Sequence, residues 1–255
     1  TDSQSVRHQE DGFIVDGRFA HDDDRREQVV CAYSRRGGKT LKRNGKEYDK
    51  LSDHVGHFPI VVVSPADTSL ISDSAEERRR YINRFISQID RTYLQALIRY
   101  NAALQERNKL LKMSPAEDML LIYDNMLAAS AEVIFTRRKE MIATMQPLVE
   151  QYYALLSDER ESIGLEYRSE MEHTPLLEQL LNARQRDFVN EFTSVGVHRD
   201  DILFNIGDYP LRKYGSQGQQ KTFLVALKLA EYRLLANSSG ERPILLLDDL
   251  FDKLD

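Results

Sequence analysis

Between Gly56 and Gly164 lie 107 residues without a single glycine, although the chain holds 12 in its 255 positions. Glycine supplies the left-handed backbone of tight turns and weakens helix interiors, so a stretch this long without it predicts long helices. All 12 glycines fall outside this stretch. The chain therefore reads as mixed α/β structure over 1–72, an inserted helical arm or lid over 73–192, and α/β structure again over 193–255. Composition excludes several other classes. Charged residues make up 30% and hydrophobic ones 41%, a globular balance rather than a disordered or fibrous one. No run approaches the roughly 18 apolar residues that span a bilayer. Thr1-Asp2-Ser3-Gln4 lacks the apolar stretch of a signal peptide. Cys31 is the only cysteine, which excludes an internal disulfide and a Cys-rich metal site. These features predict a cytoplasmic setting with no membrane partner.

The first flank is strand-like. Phe13-Ile14-Val15 and Gln28 to Tyr33 are β-rich runs, and Gly37-Gly38 and Asn44-Gly45 are hairpin signals because both pairs accept positive φ. Phe58 to Val63 is a short apolar run ended by Ser64-Pro65. From about Asp73 the period becomes helical. Ile82, Ile86, Ile89, Tyr93, Leu97, Tyr100, Leu104 and Leu111 form one apolar stripe. Ser114-Pro115-Ala116-Glu117 is a strong helix start, and Pro147 is expected to kink the helix that follows. Two long helices joined by so short a turn must lie antiparallel, with about 40 residues, or roughly 60 Å, in each. Leu165 to Arg168 alternates like a short strand, and Pro175 opens a further helix to about Phe192.

The net charge of −6 hides an asymmetry. Residues 73–113 carry nine Lys/Arg and five Asp/Glu, whereas residues 114–191 carry seven and fifteen. Such runs are commonly solvated helix faces. The alternative is that the first arm helix, with Arg78, Arg79, Arg80 and Arg84, meets a polyanion such as DNA.

The segment Pro243-Ile244-Leu245-Leu246-Leu247-Asp248-Asp249 is the most informative for chemistry. Four consecutive apolar residues predict a strand buried on both faces, as in a parallel sheet. Two acids then stand at its carboxyl end, where α/β folds bind ligands. Adjacent buried carboxylates need a cation, and Mg2+ in a Walker B site is the usual one. A strand followed by an acidic turn has the same pattern, so the upstream sequence matters. Tyr214-Gly215-Ser216-Gln217-Gly218-Gln219-Gln220-Lys221 precedes an amphipathic helix predicted over 219–236. Its small and polar residues leave backbone N–H groups free for an anion.

Together the two motifs resemble the ABC-type ATPases. The family's Leu-Ser-Gly-Gly-Gln signature falls on Gly215 to Gln219, Walker B on Leu247-Asp248-Asp249, and the D-loop on Asp252-Lys253-Leu254-Asp255. The wording is closer still to the RecF family of bacterial DNA replication and repair proteins. Gly215 to Thr222 and Leu229-Ala230-Glu231 are similar to that family. Gly196-Val197-His198-Arg199-Asp200-Asp201 resembles its Gly-Pro-His-Arg-Asp-Asp, and Ser64-Pro65-Ala66-Asp67 its Ser-Pro-Glu-Asp, with Val197 and Ala66 departing. Glu77-Arg78-Arg79-Arg80 also fits.

The resemblance implies an ABC-ATPase-like head carrying an inserted antiparallel helical arm. It implies that Ser216, Gln217, Gly218 and Gln219 bind ATP held by an opposite subunit, that Asp248 is the magnesium-side acid and that Asp249 is catalytic. Asp255 is then expected to act across the dimer. The Ser64–Asp67 loop lies where related heads carry a Q-loop, although Ala66 weakens direct sensing of phosphate. Expected partners are double-stranded DNA, junctions of single- and double-stranded DNA, RecR, RecO and a second copy of the chain. His198-Arg199-Asp200-Asp201 is expected to be a structural turn.

An ATPase also needs a phosphate cradle of the form G-x-x-x-x-G-K-[ST]. Gly38-Lys39-Thr40 mimics its tail, but Tyr33 stands where the first glycine belongs, and the segment lies between strand-like runs. It reads as a hairpin turn. The residues here are thus expected to be an internal portion of a longer, slow Mg-dependent ATPase. By itself this portion is expected to bind neither ATP nor Mg2+ and to be inactive; micromolar binding of a fluorescent ATP analogue would refute that. The competing expectation is a structural head-and-arm module of a chromosome-organising complex.

Overall fold

The computed structural model describes residues 2–21, 23–113, 117–157, 161–240 and 242–248. The expected helix start at Ser114-Pro115-Ala116, together with Asp249, the D-loop and Asp255, lies outside the described residues. The chain divides into two compact units, Thr1–His57 and Phe58–Asp255.

The first unit is a four-stranded antiparallel sheet in sequential order: β1 (Gly12–Ala20), β2 (Arg26–Ser34), β3 (Gly38–Arg43) and β4 (Lys46–Glu47). The hairpin glycines act as expected. Gly38 has φ 74°, and Asn44 and Gly45 have φ 51° and 81°, the pair of left-handed residues that a two-residue hairpin needs. Lys39 and Thr40 pair with Tyr33 and Ala32 inside the sheet, so the Gly38-Lys39-Thr40 run is a strand after a turn.

The second unit begins with β5 (Ile60–Val63), followed by α1 (Ser69–Ser72), α2 (Ala75–Ile89), α3 (Arg91–Leu111) and α4 (Glu117–Ser157). The expected single first arm helix is two helices. Asp90 leaves helical backbone at φ −129°, ψ 103°, and its carboxylate accepts from the Tyr93 N–H, which caps α3. The apolar stripe continues across the break because both helices bury the same face, including Ile82, Phe85, Ile86, Tyr93, Ala96 and Tyr100. α4 runs 41 residues without a break at Pro147.

By length and hydropathy α4 has the dimensions of a membrane span over 118–157. Composition alone therefore does not exclude a span. However, α4 packs against α3 and against the later elements α5 (Leu176–Asn190), α7 (Gln217–Ser239) and β6 (Ile163–Arg168). It also carries the fully buried Asp124 and nearly buried Arg138, which marks it as a core helix.

β6 pairs antiparallel with β7 (Asp201–Ile206), and β7 with β8 (Tyr209–Pro210). The short α6 (Leu211–Tyr214) leads to α7. Phe204 of β7 meets Phe223 of α7 with ring centroids 4.8 Å apart. The last described strand, β9 (Ile244–Leu247), pairs parallel with β5 in the register Ile60 with Ile244 through Val63 with Leu247. The parallel pairing matches expectation, but burial on both faces does not. Leu245, Leu246 and Leu247 are 37%, 48% and 52% exposed, because within this pair only β5 buries a face, through Val61 and Val63.

Candidate functional site

Two groups of the residues singled out by sequence are built in opposite ways. The first is the start of α7. Ser216 is its N-cap, with its hydroxyl accepting the Gln219 N–H at 3.2 Å. The Gln219 side chain accepts the Ser216 N–H at 2.7 Å, closing a capping box. The Gln219 amide also donates to Glu161 Oε1 at 2.7 Å. Gln220 reaches back to the Gly215 carbonyl at 2.9 Å. Gly215 has to be glycine, because a Cβ would come within 2.7 Å of the Leu211 carbonyl oxygen. Gly218 does not: a Cβ there would meet only Ser216 Oγ, at 3.9 Å. Gln217 and Gly218 are exposed. As the first two helical residues, they have N–H groups with no intrahelical acceptor.

Asp248 follows β9. Its backbone N–H is fixed by the Val63 carbonyl at 2.9 Å, and the residue is exposed. Immediately across the pair, Ser64 N donates to Asp67 Oδ2 at 2.7 Å, so the expected Q-loop position is a capped turn. Asp67 Oδ1 in turn lies 3.0 Å from Lys228 Nζ on α7, which is also 3.7 Å from Glu231. Burial raises the Glu231 carboxyl above its ordinary value, against the pull of Lys228. A chain of contacts thus links the β5–β9 end to the helix that carries Ser216. Among the described residues no cluster of three or more His, Cys, Asp or Glu could enclose a metal ion. An exposed lone carboxylate suits Mg2+, which keeps most of its ligands as water and phosphate. The uncapped N–H groups of α7 suit phosphate oxygens. Asp248 is thus compatible with a Mg2+ ligand, and the start of α7 separately with an anion.

The second group, at the base of the arm, is internally satisfied. Arg138 is buried and donates to the Val197 carbonyl at 2.7 Å, Asn83 Oδ1 at 2.9 Å, Tyr93 Oη at 3.1 Å and Asp200 Oδ2 at 3.1 Å. Burial alone would lower its pKa, but the oxygens of Tyr93, Tyr167 and Asp200 hold it above the usual value. Tyr100 and His198 are 2.8 Å apart, and the other His198 nitrogen lies 3.1 Å from the Thr193 carbonyl. Burial depresses His198 to about 4, so the ring is neutral at physiological pH. Gly196 is essential to this packing: its φ is +119°, and a Cβ would fall 2.5 Å from the Tyr100 hydroxyl.

The candidate DNA-contacting arginines divide between such roles. Arg78 forms a bidentate pair with Asp201 at 2.8 and 3.0 Å and also holds the Leu70 and Asp73 carbonyls. Arg79 donates to the Asp200 carbonyl at 2.6 Å. Arg80 is exposed and pairs with Glu76 and Glu77. Arg84 is exposed beside a cleft that also holds Asp67, Lys228 and Glu231.

Sequence reasoning missed a second buried hub. Arg107, Asp124 and Asp187 are fully buried, with Arg107 2.6 Å from Asp124 and 2.7 Å from Asp187. Thr193 Oγ1 accepts a further Arg107 N–H at 2.8 Å, and Arg184 reaches the second Asp124 oxygen at 2.7 Å. This hub ties α3, α4 and α5 together. Arg107 lies 17 to 86 residues from its partners, beyond the reach of any local pattern.

Comparison with known proteins agrees with this architecture. A solved structure of the recombination mediator protein RecF bound to ATP superposes with a TM-score of 0.94 at 32% identity, covering 100% of this chain and 72% of that one. The DNA replication and repair protein RecF of Bacteroides thetaiotaomicron is 44% identical over 256 residues, covering 100% of this chain and 69% of its own length. The chain belongs to the RecF family. The RecF of Flavobacterium johnsoniae is 42% identical over 257 residues, with 99% of this chain and 71% of that protein covered. No protein-family model matches the chain. The expected ABC-ATPase-like head with a long helical arm is accordingly the RecF fold.

Proposed function

We propose that this chain is the arm and signature-bearing portion of a RecF-type DNA-repair ATPase, which dimerises on DNA around ATP and hydrolyses it slowly. The observation that carries this reading is Gly218. The chain's own packing leaves its Cβ position open, at the start of a helix whose first N–H groups are free. A glycine with no internal need, at an anion-binding helix end, suits close approach by a nucleotide from another subunit. Ser216 and Gly218 would then meet the terminal phosphate, with Gln219 and the exposed Gln217 beside them. Asp248 would hold Mg2+ through water, and Asp249 and Asp255 would act in hydrolysis and across the dimer. The bound Mg-nucleotide would supply the charge that stabilises phosphoryl transfer. The three-part organisation over 1–72, 73–192 and 193–255 belongs to the same proposal, as do RecR, RecO, duplex DNA and single-/double-strand junctions as partners in the bacterial cytoplasm. The chromosome-organising alternative gains no specific observation: α3 has only 21 residues, about 30 Å, before the chain returns through α4.

The test uses the full-length protein with Mg2+ and ATP, its mass followed by light scattering. Ser216→Arg places a bulky cation at an exposed cap. It should leave the monomer folded and abolish the ATP-dependent doubling of mass. Doubling equal to that of the unmodified protein would overturn the proposed role of the α7 start.

A further inference from the structure

Arg79 is a half-buried guanidinium whose direct partner is a neutral carbonyl, that of Asp200 at 2.6 Å. The nearby carboxylates are committed elsewhere. Asp200 is taken by Arg138 and Tyr167, Asp201 by Arg78, and Glu76 and Glu77 by Arg80. Burial first, and then Arg138, push the Arg79 pKa below its usual value, against the weaker pull of Asp201, Asp200 and Glu76. Such an arrangement is costly unless an anion completes it.

Arg79 lines a cleft of about 350 Å3 between α2, α3 and the Val197-His198 segment. Arg80, Asn83, Asn101 and Arg138 line it too, against one acid, Glu76. Asn83 Oδ1 accepts from Tyr93 and Arg138, which fixes the amide so that its NH2 is the group left to donate. Asn101, on α3, is exposed, and its side chain makes no hydrogen bond among the described residues. Of the cations there, Arg80 and Arg138 already have carboxylate partners, whereas Arg79, the Asn83 NH2 and the Asn101 amide have none among the described residues.

We propose that this cleft at the base of the arm is a phosphate subsite, in which Arg79, Asn83 and Asn101 receive one backbone phosphodiester of duplex DNA. The proposal rests on the DNA-binding reading above and adds to it a location. A backbone phosphate is contacted without reading sequence, so the contact should position DNA and contribute to salt dependence only.

Binding of a fluorescent 30-base-pair duplex to the full-length protein with Mg2+ and ATP, measured by anisotropy from 50 to 300 mM salt, decides it. Arg79→Gln should weaken binding roughly tenfold at low salt and flatten the log–log salt slope by about 0.9, the value for one lost phosphate contact. Because Arg79 also holds the Asp200 carbonyl, two variants at the exposed, unbonded Asn101 control for folding. Asn101→Asp should weaken binding several-fold and Asn101→Lys should strengthen it, with thermal midpoints unchanged. If the unmodified protein shows no salt-dependent DNA binding, the broader DNA reading fails. If it binds and both Asn101 variants match it in affinity and slope, the cleft is not a phosphate subsite and only this inference falls.

Discussion

Gly196 and Gly218 sit in the two motifs that most resemble the RecF family, and they are glycines for opposite reasons. At Gly196 the chain itself forbids a side chain, through a φ of +119° and the Tyr100 hydroxyl. At Gly218 nothing among the described residues objects. The surroundings follow the same division. Around Gly196, Arg138 pairs with Asp200, Arg78 with Asp201, and His198 with Tyr100 and the Thr193 carbonyl, whereas around Gly218 backbone donors are left over. The difference teaches how to separate architecture from ligand chemistry in a motif. Where a residue's requirements are met internally, it serves the fold; where they are not, a second molecule is implied.

Four measurements bear on that contrast. The largest effect should come from the internally satisfied side. Arg107→Leu leaves Asp124 and Asp187 buried without their shared cation and should cost about 3–5 kcal/mol, read as a large fall in the urea midpoint. A loss below about 1 kcal/mol would show that the arm hub does not need its charge. Gly196→Ala combines a disfavoured backbone with an overlap on Tyr100 and should cost roughly 3 kcal/mol.

His198 gives a pH signature of the same region. Its folded pKa, about 4, is below the ordinary 6.5, so the unfolded chain binds the proton more readily. Its contribution is complete above pH 6.5 and is lost as pH falls toward 4, by no more than about 3 kcal/mol. His198→Gln should flatten that part of the stability profile, and an unchanged profile would contradict a buried neutral ring. The smallest stability effect has the opposite sign. Gly218→Ala puts a better helix former in open space and should stabilise the fold by up to about 1 kcal/mol while weakening ATP-dependent dimerisation of the full-length protein. Loss of stability with dimerisation intact would reverse the comparison.

Much of this was legible because it is local. The missing glycines marked the helical insertion, Gly37-Gly38 and Asn44-Gly45 marked the hairpins, and the Gly215-Ser216 turn marked the start of α7 to within two residues. The Asp90 break was hidden because the apolar stripe keeps its spacing across it, although an aspartate before Arg91-Thr92-Tyr93 is an adequate N-cap signal. The arginine hubs were not legible at all. Arg107 finds Asp187 and Arg138 finds Asp200 only once the helices pack, and the same distant pairing turned Arg78 from an expected surface cation into an internal clamp. The β9 run read as fully buried because composition records apolarity but not which neighbours are present to cover it.

The start of α7 has one mechanical consequence. Burial along this helix begins at Phe223, seven residues after the Ser216 cap. Its first turns therefore extend about 10 Å from the core behind Phe223 and the Lys228–Asp67 pair, with Gln219 tied to Glu161 near the tip. Helical hydrogen bonds make these turns stiff, so Ser216 moves only together with the anchors at Phe223, Lys228 and Glu161. A tilt of about 5° at the root would carry the Ser216 hydroxyl about 1 Å, enough to make or break a hydrogen bond to a phosphate oxygen.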